Sequence, residues 1–307
     1  MGKQKAGVGR GNAWATMPGL LYLSLLVLAP LVVIIIYSFL SRAKLGVGVK
    51  WEFSTRAYAD LFFSESLLGE RGFDPTYLQI ILNSFWFALV TLIVTLVLAV
   101  PIALWIATRP PNWRTLLIFL VTIPFWTSLL IRTYAFLIIL NDNGPINSTL
   151  VGSGFIDQAL PLLYTPFATV LGLVYAFLPF MILPIYASAE RFDFRLAEAA
   201  YDLGAAKITV LRRIVLPSIR PGIIAGALLV FIPALGSFLA PELLGGGKTT
   251  MIANVIASQF GASRNWPFGA ALSVMLLVIT LLVLLLLAYL ARRTNKSGLE
   301  SNMEALI

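Results

Sequence analysis

An all-α integral membrane protein with six transmembrane helices is the fold class this sequence predicts, on three observations. Of its 307 residues 59% are apolar and only 12% charged, against roughly 25% charged in soluble domains. Runs of mostly apolar residues occur at 17–40, 78–107, 114–140, 166–188, 219–240 and 268–291, each near the roughly 20 residues needed to cross about 30 Å of hydrocarbon. The polar stretches between them differ in Lys and Arg content in the way loops on opposite membrane faces do.

Residues 1–16 form a basic tail with Lys3, Lys5 and Arg10. The first span has no small-residue cleavage site behind a short apolar core, so it reads as a retained helix and not a signal peptide. The 41–77 loop balances five basic residues against five acidic ones and reads as an external subdomain. Asp74-Pro75 supply an N-cap and first turn for the second span. The 108–114 loop (Arg109, Arg114), the 189–217 loop (Arg191, Arg195, Lys207, Arg212, Arg213) and the 292–307 tail (Arg292, Arg293, Lys296) are basic, whereas 141–165 has no Lys or Arg and 241–267 has only Lys248 and Arg264. Both termini and the 189–217 loop are therefore expected in the cytoplasm, flanking a transmembrane domain over 17–291.

Composition also excludes chemistry. The chain has no Cys and no His, which removes disulfides, thiolate ligation, the commonest metal ligand and the usual general base. No paired carboxylates lie inside the spans, so no catalytic, cofactor or metal site is expected. The excess of 22 Lys and Arg over 14 Asp and Glu follows from basic cytoplasmic loops beside membrane lipid, not from nucleic-acid binding. Gly245-Gly246-Gly247-Lys248-Thr249 imitates the end of a phosphate-binding loop, but Glu242 stands where that pattern needs Gly and no buried strand precedes it. The chain has no ATP site of its own in this reading, and 245–249 is a flexible external turn.

Within 189–217 lie two helix-forming runs, 194–203 and 205–215. Asp193 is placed to cap the first, Gly204 to end it with positive φ, and Pro217 and Pro221 to stop the second and prepare the fifth span. The motif Glu198-Ala199-Ala200-Tyr201-Asp202-Leu203-Gly204, followed by Ile214-Val215-Leu216-Pro217, resembles the Glu-Ala-Ala loop of ATP-binding-cassette importer permeases at every position of the pattern. The resemblance implies a type I importer permease whose loop inserts into a partner ATPase dimer, which would bind ATP and Mg. Glu198, Ala199, Ala200, Asp202, Gly204 and Pro217 are then the coupling residues.

Rise per residue sets the expected depth of the remaining candidates. Arg132, the one clear intramembrane charge, falls about 27 Å above Arg114 and either snorkels to headgroups or lines the outer mouth of a pathway. Glu242, about 23 residues beyond Ile219, falls at the outer end of the fifth span. With Asp142 it would form an external vestibule favouring a cationic solute, unless both are ordinary loop carboxylates. Trp126, about 18 Å from the inner end of its span, and Tyr175, about 14 Å from the outer end of its own, fall near mid-membrane. With Thr127 they are either pathway groups, with aromatic faces for ammonium ions, or packing. Pro124, Pro179, Pro184 and Pro233 are expected to interrupt helices around a cavity. Gly222-x-x-x-Gly226 marks close helix packing, within the chain or between subunits.

From the first span to the sixth the chain resembles the permease subunits of spermidine/putrescine importers. The local matches are Pro124-Phe125-Trp126-Thr127, Leu130-Ile131-Arg132, Tyr164-Thr165-Pro166, Gly172-Leu173-Val174-Tyr175, Leu178-Pro179-Phe180-Met181, Pro241-Glu242-Leu243-Leu244-Gly245-Gly246 and Trp266-Pro267-Phe268-Gly269-Ala270. That family implies polyamine uptake across a bacterial cytoplasmic (inner) membrane by alternating access. It also implies a second, homologous permease and an external solute-binding protein. Permeases for ferric iron, thiosulfate or phosphonates share the coupling loop and stay open as alternatives. An ion-coupled carrier would want mid-membrane Asp, Glu or Lys, which the spans lack.

Overall fold

The structure is a computed structural model that describes residues 13–43, 48–65 and 71–304. Lys3, Lys5 and Arg10 lie outside the described residues, as do the side chains of Arg292, Arg293 and Lys296. Five described helices are long and apolar enough to span a membrane: Met17–Ser38, Thr76–Ala107, Pro166–Ala189, Lys207–Leu235 and Trp266–Leu285. A bent pair, Pro111–Trp126 with Leu129–Gly152, makes a sixth.

The chain divides into two units. In the first, which comprises residues up to Phe73 with Ser258–Ile279, helix α1 (Ala13–Ser38) leads into two antiparallel hairpins. These are β1 (Leu40–Arg42) with β2 (Val49–Phe53) and β3 (Phe63–Glu65) with β4 (Arg71–Phe73), separated by the short helix α2 (Arg56–Ala59). Tyr58 donates its hydroxyl to the buried Ser38 at 2.8 Å, and Phe39 stacks on Phe53 at 5.7 Å, so β2 and α2 pack onto the end of α1.

The core of the second unit is α3 (Thr76–Ala107), α7 (Pro166–Ala189) and α10 (Leu216–Leu235). Ala99, Ala103 and Ala107 recur every four residues along one face of α3 and are fully buried with Met181, Ile185 and Ile219. In lipid the hydrophobic effect does not drive helices together, so close packing of small residues must. Gly222 and Gly226 serve the same end, because a β-carbon at 222 would lie 2.5 Å from Ser188 Oγ and one at 226 would lie 2.7 Å from Met181 Sδ. This Gly-x-x-x-Gly pair is thus an intramolecular seam with α7. Asp74 accepts the Thr76 N–H at 3.0 Å, but the N-cap of α3 is Pro75, so Asp74 turns the chain into the helix from one residue before the cap position expected of it.

Three expectations change. The third span is not a straight rod: α4 (Pro111–Thr122) tightens into a 3₁₀ turn at Ile123–Trp126, Thr127 is extended, and α5 (Leu129–Leu140) departs at 88°. Of the four prolines expected to interrupt helices, only Pro124 stands at a break. Pro179 and Pro184 lie inside continuous α7, and Pro233 inside α10. Without water to take up freed backbone groups, a membrane helix gains by staying helical past a lone proline. Nor do Pro217 and Pro221 stop the second run of the polar loop. Helix α9 (Lys207–Val210) passes through a π turn, Leu211–Val215, into α10 as one helix. That wider turn, in which the Leu216 N–H reaches the Leu211 carbonyl, makes room for the Pro217 ring.

Candidate coupling hairpin and transport pathway

The polar loop after α7 is a compact hairpin. Asp193 accepts the Arg195 N–H at 3.1 Å at the head of α8 (Arg195–Asp202), whose N-cap is Phe194, so Asp193 sits one residue before the cap position expected of it. Gly204 ends it at φ +83°. Its N–H donates to the Tyr201 carbonyl at 2.9 Å, and the Ala205 N–H donates to the Ala200 carbonyl at 3.0 Å. This pair of bonds is a Schellman closure, which fixes the turn by local geometry alone. Ala197 is buried with Val210 and Val215, which anchors the inner face of the hairpin. Its outer face is open among the described residues: Glu198, Ala199, Asp202 and Pro217 are exposed, as are Leu196, Ile208 and Leu203, the last at 89%. An apolar rim around acidic groups on a rigid turn suits a protein partner.

At the break in the third span, Trp126 is 81% exposed. Thr127 donates its hydroxyl to the Pro124 carbonyl at 3.0 Å, so this polar group is satisfied locally. The break overturns the depth assigned to Arg132, since rise per residue holds only along an unbroken axis. Arg132 and Phe136, one turn apart on α5, both meet Tyr175 of α7. The guanidinium lies 5.8 Å from the ring centroid and Phe136 meets the ring edge-on at 5.2 Å. A protein cation therefore already covers one face of Tyr175, and Trp126 is the more open aromatic surface. Arg132 Nε is buried without a hydrogen-bond partner.

Glu242 is likewise not on the fifth span. α10 ends at Leu235, and Glu242 sits on a separate short helix, α11 (Leu239–Leu244). The structure brings the Glu242 and Asp142 segments to one place: Leu140 and Leu244, each two residues away, are buried in the same cluster with Leu163 and Ala168. Asp142 is exposed in the turn between α5 and α6 (Pro145–Gly152), and Glu242 is exposed. Asn254 donates to Glu242 Oε2 at 2.7 Å. The 245–249 turn is more ordered than expected, since Thr249 is fully buried and shares a 2.8 Å hydroxyl bond with Thr169.

Against this geometry, the model of the family described as "Binding-protein-dependent transport system inner membrane component" matches residues 77–296. This chain belongs to that family. It is a multi-pass inner-membrane permease subunit. The spermidine/putrescine transport system permease protein PotB of Escherichia coli K12 is 42% identical over 275 residues, covering 90% of this chain and 96% of that one. The protein of the same name from Haemophilus influenzae is 44% identical over 224 residues, covering 73% of this chain and 77% of that one. The crystal structure of a bacterial ABC transporter that imports the acidic polysaccharide alginate superposes with a TM-score of 0.68 at 17% identity, covering 91% of this permease and 94% of that chain. At that identity the likeness is one of fold, that of a type I ABC importer permease.

Two features of the permease are not among the residues the sequence singles out. Glu190 accepts the Tyr186 hydroxyl at 2.7 Å and lies 3.9 Å from Arg114, tying the end of α7 to the start of α4. Asn254 falls in a stretch that reads as loop. Its signal is positional: it is the third residue of helix α12 (Ile252–Phe260), where a polar side chain can reach back to cap the helix.

Proposed function

We propose that this permease is one of two homologous permeases of an ATP-driven importer for polyamines such as spermidine and putrescine, delivered by an external binding protein. A partner ATPase dimer binds ATP and Mg, and its closure moves the α8 hairpin. The helices of both permeases then rock to open the pathway outward. Both termini and the hairpin face the cytoplasm, in line with the basic loops. The observation that carries the reading is the hairpin itself, a Schellman-closed turn presenting Glu198 and Leu203 outward, exposed among the described residues.

The polyamine substrate rests on the names of the relatives and on the two exposed carboxylates, Asp142 and Glu242, which lower the energy of a cation entering from solution. Trp126 offers an aromatic face nearer the break, and Arg132 with Tyr175 borders it. The test is uptake of labelled spermidine and putrescine by vesicles holding both permeases, the ATPase and the binding protein. Saturable, ATP-dependent uptake that unlabelled polyamines compete away and phosphonate or thiosulfate do not is the expected result. Transport of either anion, or polyamine transport by this chain alone, would overturn the proposal.

A further inference from the structure

α11 has only six residues, too few to hold a helix by backbone bonds alone, yet Ala240, Pro241 and Leu244 bury it against its neighbours. Ala240 packs with Phe87, Leu173 and Met251, and Leu244 is wholly buried among Leu140, Leu163 and Ala168. The Thr169–Thr249 hydroxyl bond lies directly behind it, so close to Gly245 that a β-carbon there would collide with Thr249 and stand 3.1 Å from Thr169 Oγ1. Glu242 is the charged side chain this platform presents outward.

Asn254, 9% exposed, joins the platform to α12. Its Oδ1 accepts the Met251 N–H at 3.2 Å, which caps α12. Its Nδ2 donates to the Phe238 carbonyl at 3.0 Å and to Glu242 Oε2 at 2.7 Å. The cap needs only an acceptor, and a carboxylate would suit the positive end of a helix better than an amide does. Phe238's carbonyl already receives the Glu242 N–H at 3.0 Å. The amide donor therefore finds its use at Glu242. We infer that Asn254 is a positioning residue for cation recognition: it ties one oxygen of Glu242 and so holds the carboxylate in a single orientation, with Oε1 left for the solute. The inference rests on Glu242 being part of a cation pathway, as proposed above.

The test is spermidine uptake by the complete importer in vesicles, with KM and Vmax measured separately. Glu242→Gln should raise KM about tenfold, the scale of one lost charge-assisted contact. Asn254→Ala should raise KM about three- to tenfold with little change in Vmax, since the carboxylate remains but must be ordered by the solute itself. Added to Glu242→Gln, it should raise KM no further. The shorter Asn254→Ser keeps a side-chain oxygen beside the cap but has no amide to reach Glu242; it should raise KM as Asn254→Ala does, and it decides the matter alone if Asn254→Ala fails to reach the membrane. An unchanged KM in Asn254→Ala or in Asn254→Ser, an equal further rise in the Glu242→Gln background, or a fall in Vmax alone would each overturn the inference. If Glu242→Gln itself leaves KM unchanged, the cation-pathway reading of Glu242 fails, and the role of Asn254 with it.

Discussion

Gly222 lies against the main chain of α7 at Pro184, where a β-carbon on residue 222 would run into the Pro184 carbonyl oxygen and crowd Ser188. Main chain cannot move aside as a flexible side chain can, so Gly222→Ala must separate α7 from α10. Overpacking of this kind costs about 1–3 kcal/mol. A lower melting temperature in detergent and less protein in the membrane are expected, and an unchanged melting temperature would show that the seam is looser than drawn.

The coupling hairpin yields a separable prediction. At Gly204 the φ of +83° disfavours any side chain, but the space around it is open, so Gly204→Asp strains only the local turn, by about 1–3 kcal/mol. Glu198→Ala combined with Gly204→Asp should leave the permease in the membrane while abolishing solute-stimulated ATP hydrolysis by the assembled importer. Normal transport by the double variant would remove the hairpin from the coupling path.

Asp142 is exposed, so its effect on a cation acts through solution and is screened. Asp142→Asn should raise KM for spermidine by about two- to threefold at low ionic strength and have no measurable effect near 1 M salt, where the Debye length is about 3 Å. Measuring KM across a salt series distinguishes long-range attraction, which vanishes, from direct contact, which persists.

Because the chain has no cysteine, Trp126→Cys places a unique thiol at the break in the third span. In the assembled importer that thiol should react with a positively charged, membrane-impermeant reagent and be protected by spermidine together with the binding protein. Failure to react in any nucleotide state would assign Trp126 to packing against lipid or the second permease.

Whatever rests on neighbours along the chain is legible in the sequence. Span number follows from apolar run length, and the closing of α8 at Gly204 follows from backbone sterics and bonds within six residues. The turn at Asp74 and the start of α8 at Asp193 are legible for the same reason. Other features depend on how the helices meet. The 88° bend after Trp126 cannot be told from a tolerated proline, because Pro124 and Pro179 carry the same local signal. The passage of α9 into α10 through a π turn depends on helix packing that outweighs the stop signal of Pro217. Tyr175 covered by Arg132, Gly222 against Pro184, and Asn254 on Glu242 all join residues from separate elements. Each is set by packing surfaces that exist only once the helices have come together: the Gly-x-x-x-Gly spacing records that Gly222 packs closely but not against what, and no spacing records the other two.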